Sequence, residues 1–114
     1  MGFTQAVTQC FSKYAAFTGR AGRPELWYFV LFLVLSQFAA AILDSVLGVT
    51  LFEPAVGLGT LLPGLAVEIR RLHDLGRSGW WLLLGLIPVF GGIVLLVWFC
   101  RRGEPTPNQY GAPV

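Results

Sequence analysis

The chain has 114 residues, 55% of them hydrophobic and only 12% charged, with a formal net charge of +2. That length suits one domain, and a soluble core of that size cannot hide so much apolar surface when the charged fraction is about half the usual one. A membrane is the solvent this composition asks for, and the mild net charge gives no argument for a nucleic-acid partner.

Residues 3–17 carry Phe3, Val7, Phe11, Tyr14 and Phe17 at helical spacing, with Thr4, Gln5, Thr8, Gln9, Ser12 and Lys13 on the other side. This pattern predicts an amphipathic helix too polar to span, lying in the headgroup region, with a helix packed on its own protein as the alternative. No basic segment precedes an apolar run here, so a cleaved signal peptide is not expected. Ala6 stands where a myristoylation motif wants Ser or Thr. Gly19, Gly22 and Pro24 then break the helix. Pro24 suits the first turn of the next one, Glu25 suits its positive end, and Trp27 and Tyr28 suit a membrane interface.

Residues 26–47 form the first predicted span, roughly 33 Å long at 1.5 Å per residue, against a hydrocarbon core of roughly 30 Å. Asp44 falls near its far end, where a carboxylate reaches water. Residues 54–69 form a shorter second span, rich in small residues (Ala55, Gly57, Gly59, Thr60, Gly64) and interrupted by Pro63. Residues 70–79 are an Arg-rich turn. Residues 80–100 are a third apolar run with Pro88-Val89-Phe90-Gly91-Gly92 at its middle. It reads as a third span kinked at Pro88, or as a re-entrant hairpin with both ends on one side, and the single run favours the span. Residues 101–114 are an irregular tail. The expected fold is therefore all-α and membrane-embedded, an interfacial helix followed by three transmembrane helices in a single domain.

Lys13, Arg20, Arg23, Arg70, Arg71 and Arg77 flank the predicted spans on one side, and the connection from Asp44 to Pro54 has no Lys or Arg. The positive-inside rule then places the N-terminus and the 70–79 turn in the cytoplasm. Within that turn Gly76 suits a helix C-cap and Ser78 an N-cap. Asp74 opposes its helix dipole and calls for a cation. Glu25, Glu68 and Asp74 are the expected acids of an ion-pair network with the arginines, which requires the two cytoplasmic turns to meet.

Cysteine and histidine usage argues against a chemical site. Cys10 and Cys100 are distant in sequence and make neither a disulfide framework nor a metal motif. His73 has no second histidine to share a metal, and His73, Asp74 and Ser78 are too close in one tight turn for a nucleophilic triad. No catalytic residue, metal or cofactor is expected. Arginines beside interfacial tryptophans suit phosphate instead, so Arg20, Arg23, Arg70, Arg71, His73, Arg77, Trp80 and Trp81 are the candidate set for an anionic lipid headgroup. A partner helix, from another copy or another membrane protein, is the related expectation. The alternative is a subunit of a small oligomeric transporter or channel using Asp44 and Glu68.

The residues Gly19-Arg20-x-x-Arg23-x-Glu25-x-Trp27, Arg70-Arg71-Leu72-His73-Asp74-x-x-Arg77-Ser78-Gly79-Trp80-Trp81, Ile87-Pro88 and Asn108-x-Tyr110-Gly111 resemble the bacterial inner-membrane family called domain of unknown function 805. The resemblance covers nearly the whole chain. It implies a small multi-pass protein of the bacterial inner membrane and no established reaction, substrate or cofactor.

Overall fold

The computed structural model describes residues 2–114. It is helical, with five helical segments and no strand among the described residues: α1 (Phe3–Ser12), α2 (Arg23–Leu47), α3 (Phe52–Asp74), a 3₁₀ segment (Gly79–Leu86) and α4 (Phe90–Cys100). Two of these, α2 and α3, are long and apolar enough to cross a membrane. Their 25 and 23 residues rise roughly 37 and 34 Å. Both leave large apolar side chains on the outside, Val34, Phe38 and Val46 on α2 and Leu58 and Leu61 on α3, as helices in lipid do.

The connection between α2 and α3 is built by Asp44. Gly48 closes α2 in the left-handed conformation, and the chain turns back so that the Asp44 carboxylate caps α3. It accepts from the backbone N–H groups of Leu51 (3.3 Å), Phe52 (2.8 Å) and Glu53 (3.0 Å). Those groups have no partner inside their own helix, and the negative charge sits at the positive end of α3. The acid predicted to reach water is thus a cap, and it is buried. α3 then runs through Pro63 without interruption.

α1 ends at Ser12, five residues short of the predicted end. The residues after it are committed elsewhere. Ala21 N donates to Arg70 O at 3.0 Å, and Gly19 O accepts from His73 Nδ1 at 2.9 Å. α1 packs on its own protein, the alternative to a helix lying free in the interface. Ala6 and Cys10 are fully buried, and the Phe11 ring meets Phe29 and Phe32 edge-on at 5.6 Å each.

Residues 79–100 are not one helix. Pro88, Val89 and Phe90 form a γ-turn, with Phe90 N bonded to Pro88 O at 2.6 Å and Val89 at φ 63°, ψ −60°. The chain reverses there, and α4 returns alongside the 3₁₀ segment. A Cβ on Gly91 would strike the Leu84 carbonyl, so the reversal needs glycine at that contact. Both ends of this hairpin lie at the same end of the molecule. Ser78, at its start, follows directly on the C-terminus of α3. At its finish, Phe99 O accepts from Trp27 Nε1 at 3.2 Å and Cys100 O from Arg23 Nη1 at 3.3 Å. Of the two readings of this run, a kinked third span or a hairpin, the structure has two short arms, and among the described residues two helices are of spanning length.

Candidate functional site: a buried arginine cluster under the tail

Asp74 is the last residue of α3, and the loop before α2 crosses directly over it. Arg20 Nε donates to Asp74 Oδ1 at 2.8 Å, and Arg71 Nη1 binds Asp74 Oδ2 from one turn back on α3. Gly76 follows at φ 75°, the left-handed position that ends a helix abruptly, and lets Arg77 N reach back to Leu72 O at 2.9 Å. A carboxylate at a helix C-terminus is unfavourable alone. Two guanidinium groups reverse that balance, and they overshoot it by one charge.

Backbone carbonyls take up the excess. Arg71 also donates to Ala21 O at 3.3 Å and to Arg101 O. Arg20 Nη1 donates to Thr106 O (3.0 Å) and Gly111 O (3.2 Å), and Nη2 to Glu104 O and to Asp74 O (3.3 Å). Arg20 thus ties the first loop, the end of α3 and the tail together. The planar five-donor fork of arginine is what makes that possible.

Beside it lies a second pair. Arg70 Nη1 binds Glu25 Oε2 in the first turn of α2, and both side chains are buried. Arg70 Nε and Nη2 and Arg71 Nε are enclosed without a partner among the described residues. The Cys10 thiol is 3.9 Å from Glu25 Oε2. Burial, and then the Glu25 charge, push it up to about 12, so it is an inert thiol at neutral pH.

The tail closes the cluster. Glu104 N donates to Asp74 O at 2.8 Å. The Asn108 amide donates to His73 O (3.0 Å) and Glu104 Oε1 (2.9 Å), while its own oxygen accepts from Tyr110 N at 2.8 Å. The Tyr110 ring lies parallel on His73, with centroids 3.9 Å apart. His73 Nδ1–H faces Gly19 O, so the ring has a structural partner on each side. Gly103 passes so close to the Asp74 carboxylate that a Cβ there would collide with it.

The predicted site residues therefore divide into two groups. Arg20, Arg70, Arg71 and His73 are buried, with Glu25 and Asp74, in one network, and the two loops do meet. Arg23, Arg77, Trp80 and Trp81 form part of a rim outside it. Arg77 lies over the Trp98 ring at 4.1 Å, Trp81 meets Trp98 edge-on at 5.7 Å, and Trp80 is 79% exposed. Ser78 Oγ caps the 3₁₀ segment at Trp80 N, 3.3 Å. Arg101 and Arg102 are exposed and join this rim. A cleft of about 360 Å³ lies between Leu75, Arg77, Arg101, Arg102 and Glu104. Glu68 belongs to neither group: it is half-buried one helical turn below Arg71. No cluster of three metal-ligating side chains occurs among the described residues.

Thr106, Glu104 and Ala21 bind the arginines through backbone carbonyls that any residue carries, so residue type gives no sign of them. Asn108 and Tyr110 did stand in the motif of the family resemblance, and their side chains are the ones that fasten the tail.

The family described as protein of unknown function (DUF805) matches residues 14–112, which takes in the whole cluster and its tail. Among curated relatives, the inner membrane protein YhaH of Escherichia coli is 41% identical over 108 residues, covering 87% of each chain. The inner membrane protein YhaI of the same organism is 43% identical over 101 residues, covering 87% of this chain and 86% of that one. No solved structure matches.

Proposed function

Taking as premise that the chain belongs to the DUF805 family, we propose that this bacterial inner-membrane protein is a non-catalytic module whose cytoplasmic rim of arginine and tryptophan holds anionic lipid headgroups. The observation that carries the reading is the split among the arginines. Arg20, Arg70 and Arg71 are buried and matched by Glu25 and Asp74, whereas Arg23, Arg77, Arg101 and Arg102 form no ion pair among the described residues. A basic residue beside an anionic surface gains roughly 1 kcal/mol, and tryptophan rings favour headgroup depth. The phosphate contacts thus fall to the rim, because the forks of Arg70 and Arg71 face inward.

The topology that goes with this reading has α2 and α3 as two spans, with the N-terminus, the rim and the tail in the cytoplasm. The hairpin 79–100 enters from that side and returns to it. Its 3₁₀ arm of 8 residues and its α4 arm of 11 residues are each roughly 16 Å long, half of a 30 Å core. The channel or transporter alternative loses support at Asp44, whose oxygens are occupied as a cap.

Native mass spectrometry from mixed phosphatidylglycerol and phosphatidylcholine micelles tests the lipid reading. Wild type is expected to retain phosphatidylglycerol over phosphatidylcholine, and the triple variant Arg77→Gln, Arg101→Gln, Arg102→Gln to lose most of that preference. Equal retention by both proteins rejects the rim as a lipid site.

A further inference from the structure

Glu68 is the half-buried carboxylate that the fold leaves alone. Glu25 and Asp74 are matched by arginine, Asp44 by three N–H groups, and Glu104 by the Asn108 amide. Glu53 stands exposed at the far end. Glu68 has neither hydrogen bond nor ion pair among the described residues, although it lies within the spanning helix α3. It is six residues before Asp74, roughly 9 Å below the polar end. An acid at such depth without a protein partner is costly and is by default a functional position.

Glu68 lines two grooves, one of about 310 Å³ toward Leu33 and Gln37 of α2 and a larger, more apolar one toward the hairpin, and the second says what its partner is like. Glu68 lines a groove of about 570 Å³ between α3 and the hairpin, whose other walls include Leu65, Ile69, Leu82, Leu83 and Leu95. No other charged side chain lines it. Trp80 stands at its rim, next to the polar end. An apolar groove lined by a single carboxylate matches a molecule with one cationic donor and a hydrocarbon chain. The two cations that follow on α3 are already engaged, Arg70 with Glu25 and Arg71 with Asp74 and two carbonyls.

We propose that the groove between α3 and the hairpin binds an amphiphile with a primary ammonium head, Glu68 receiving the head and the apolar walls the chain. The site shares no charged residue with the arginine rim, so it stands or falls independently of the headgroup reading above. An ammonium group offers Glu68 both its countercharge and hydrogen-bond donors, and the chain covers leucine side chains otherwise left to lipid. Both a free alkylamine and the amine headgroup of a membrane lipid carry this chemistry.

Full-length protein in phosphatidylcholine nanodiscs, titrated with dodecylammonium or dodecanol and read by native mass spectrometry, tests it. Wild type is expected to take one dodecylammonium per chain saturably, and dodecanol roughly tenfold less tightly, as for loss of a charge-assisted hydrogen bond. Glu68→Gln, which keeps the shape, should weaken dodecylammonium roughly tenfold and leave dodecanol unchanged. Gly85→Leu should weaken both: a Cβ at Gly85 meets Leu95 at an ordinary 3.5 Å, and the added side chain occupies the groove. A second arm adds phosphatidylethanolamine to the discs, and its retention by wild type over Glu68→Gln identifies the lipid as the source. The proposal is overturned if Glu68→Gln binds dodecylammonium like wild type, if dodecanol binds wild type equally well, or if a second copy of the chain covers the groove and excludes both.

Discussion

Arg20 shows how much one side chain can decide when its charge is buried. Its guanidinium reaches the Asp74 carboxylate and four carbonyls on the end of α3 and the tail. Lysine in its place keeps the charge but has a single point of donation and no fork. Arg20→Lys should therefore lower unfolding stability by about 1–3 kcal/mol and speed trypsin cleavage in the tail. Arg23→Lys, at an exposed position with one carbonyl contact, should stay within about 0.5 kcal/mol of wild type. Denaturation in detergent followed by intrinsic fluorescence, alongside timed proteolysis, measures both, and equal stability of the two variants would remove Arg20 from its central place. The Arg20–Asp74 meeting was legible in the sequence, because an acid at a helix C-terminus needs a cation and the loop before α2 carries two, Arg20 and Arg23. The carbonyl partners were not legible, since a backbone oxygen has no signature in residue type.

The hairpin is the element on which the sequence was least decisive. A run of apolar residues from Trp80 to Cys100 has the same hydropathy whether it crosses the membrane once or turns back half-way. What decides between them is local. Pro88 fixes one backbone angle, Val89 takes a strained positive φ that a branched side chain rarely adopts, and Gly91 lets α4 touch the Leu84 carbonyl. The two adjacent glycines differ in a way that makes a test. A Cβ on Gly91 collides with backbone, whereas a Cβ on Gly92 meets nothing within 4 Å. Gly91→Ala should cost about 1–3 kcal/mol by overpacking, and Gly92→Ala should be neutral or stabilising by up to about 1 kcal/mol, because alanine favours the helix. Unfolding midpoints for the two variants give the comparison, and a neutral Gly91→Ala would mean that the arms do not pack as described. Asp44 makes a similar point at the other end of the molecule. Its place near the end of a span was readable, but its capping of the next helix depends on a loop whose path only the fold supplies.

At the scale of the whole molecule, charge is sorted by end. Lys13 and all seven arginines lie toward the end where the first loop, the C-terminus of α3 and the tail converge, together with Glu25, Glu68, Asp74 and Glu104. Asp44 and Glu53 lie at the other. That end is therefore positive and the opposite end negative, the arrangement that orients a protein with its basic end inward. The first loop and residues 70–79 could be assigned to one side from the sequence alone. The tail could not, because its side depends on whether residues 79–100 cross. The hydrogen bonds from Arg20 and Asn108 tie it to the other two. Single cysteines at Thr18, Val49 and Gln109, each in a background lacking Cys10 and Cys100, turn this into a measurement on intact cells. An impermeant maleimide added outside should label Val49→Cys alone, and Thr18→Cys and Gln109→Cys should react only after the membrane is opened. Labelling of Gln109→Cys from outside would mean that 79–100 crosses the membrane, which is incompatible with Arg20 holding the tail.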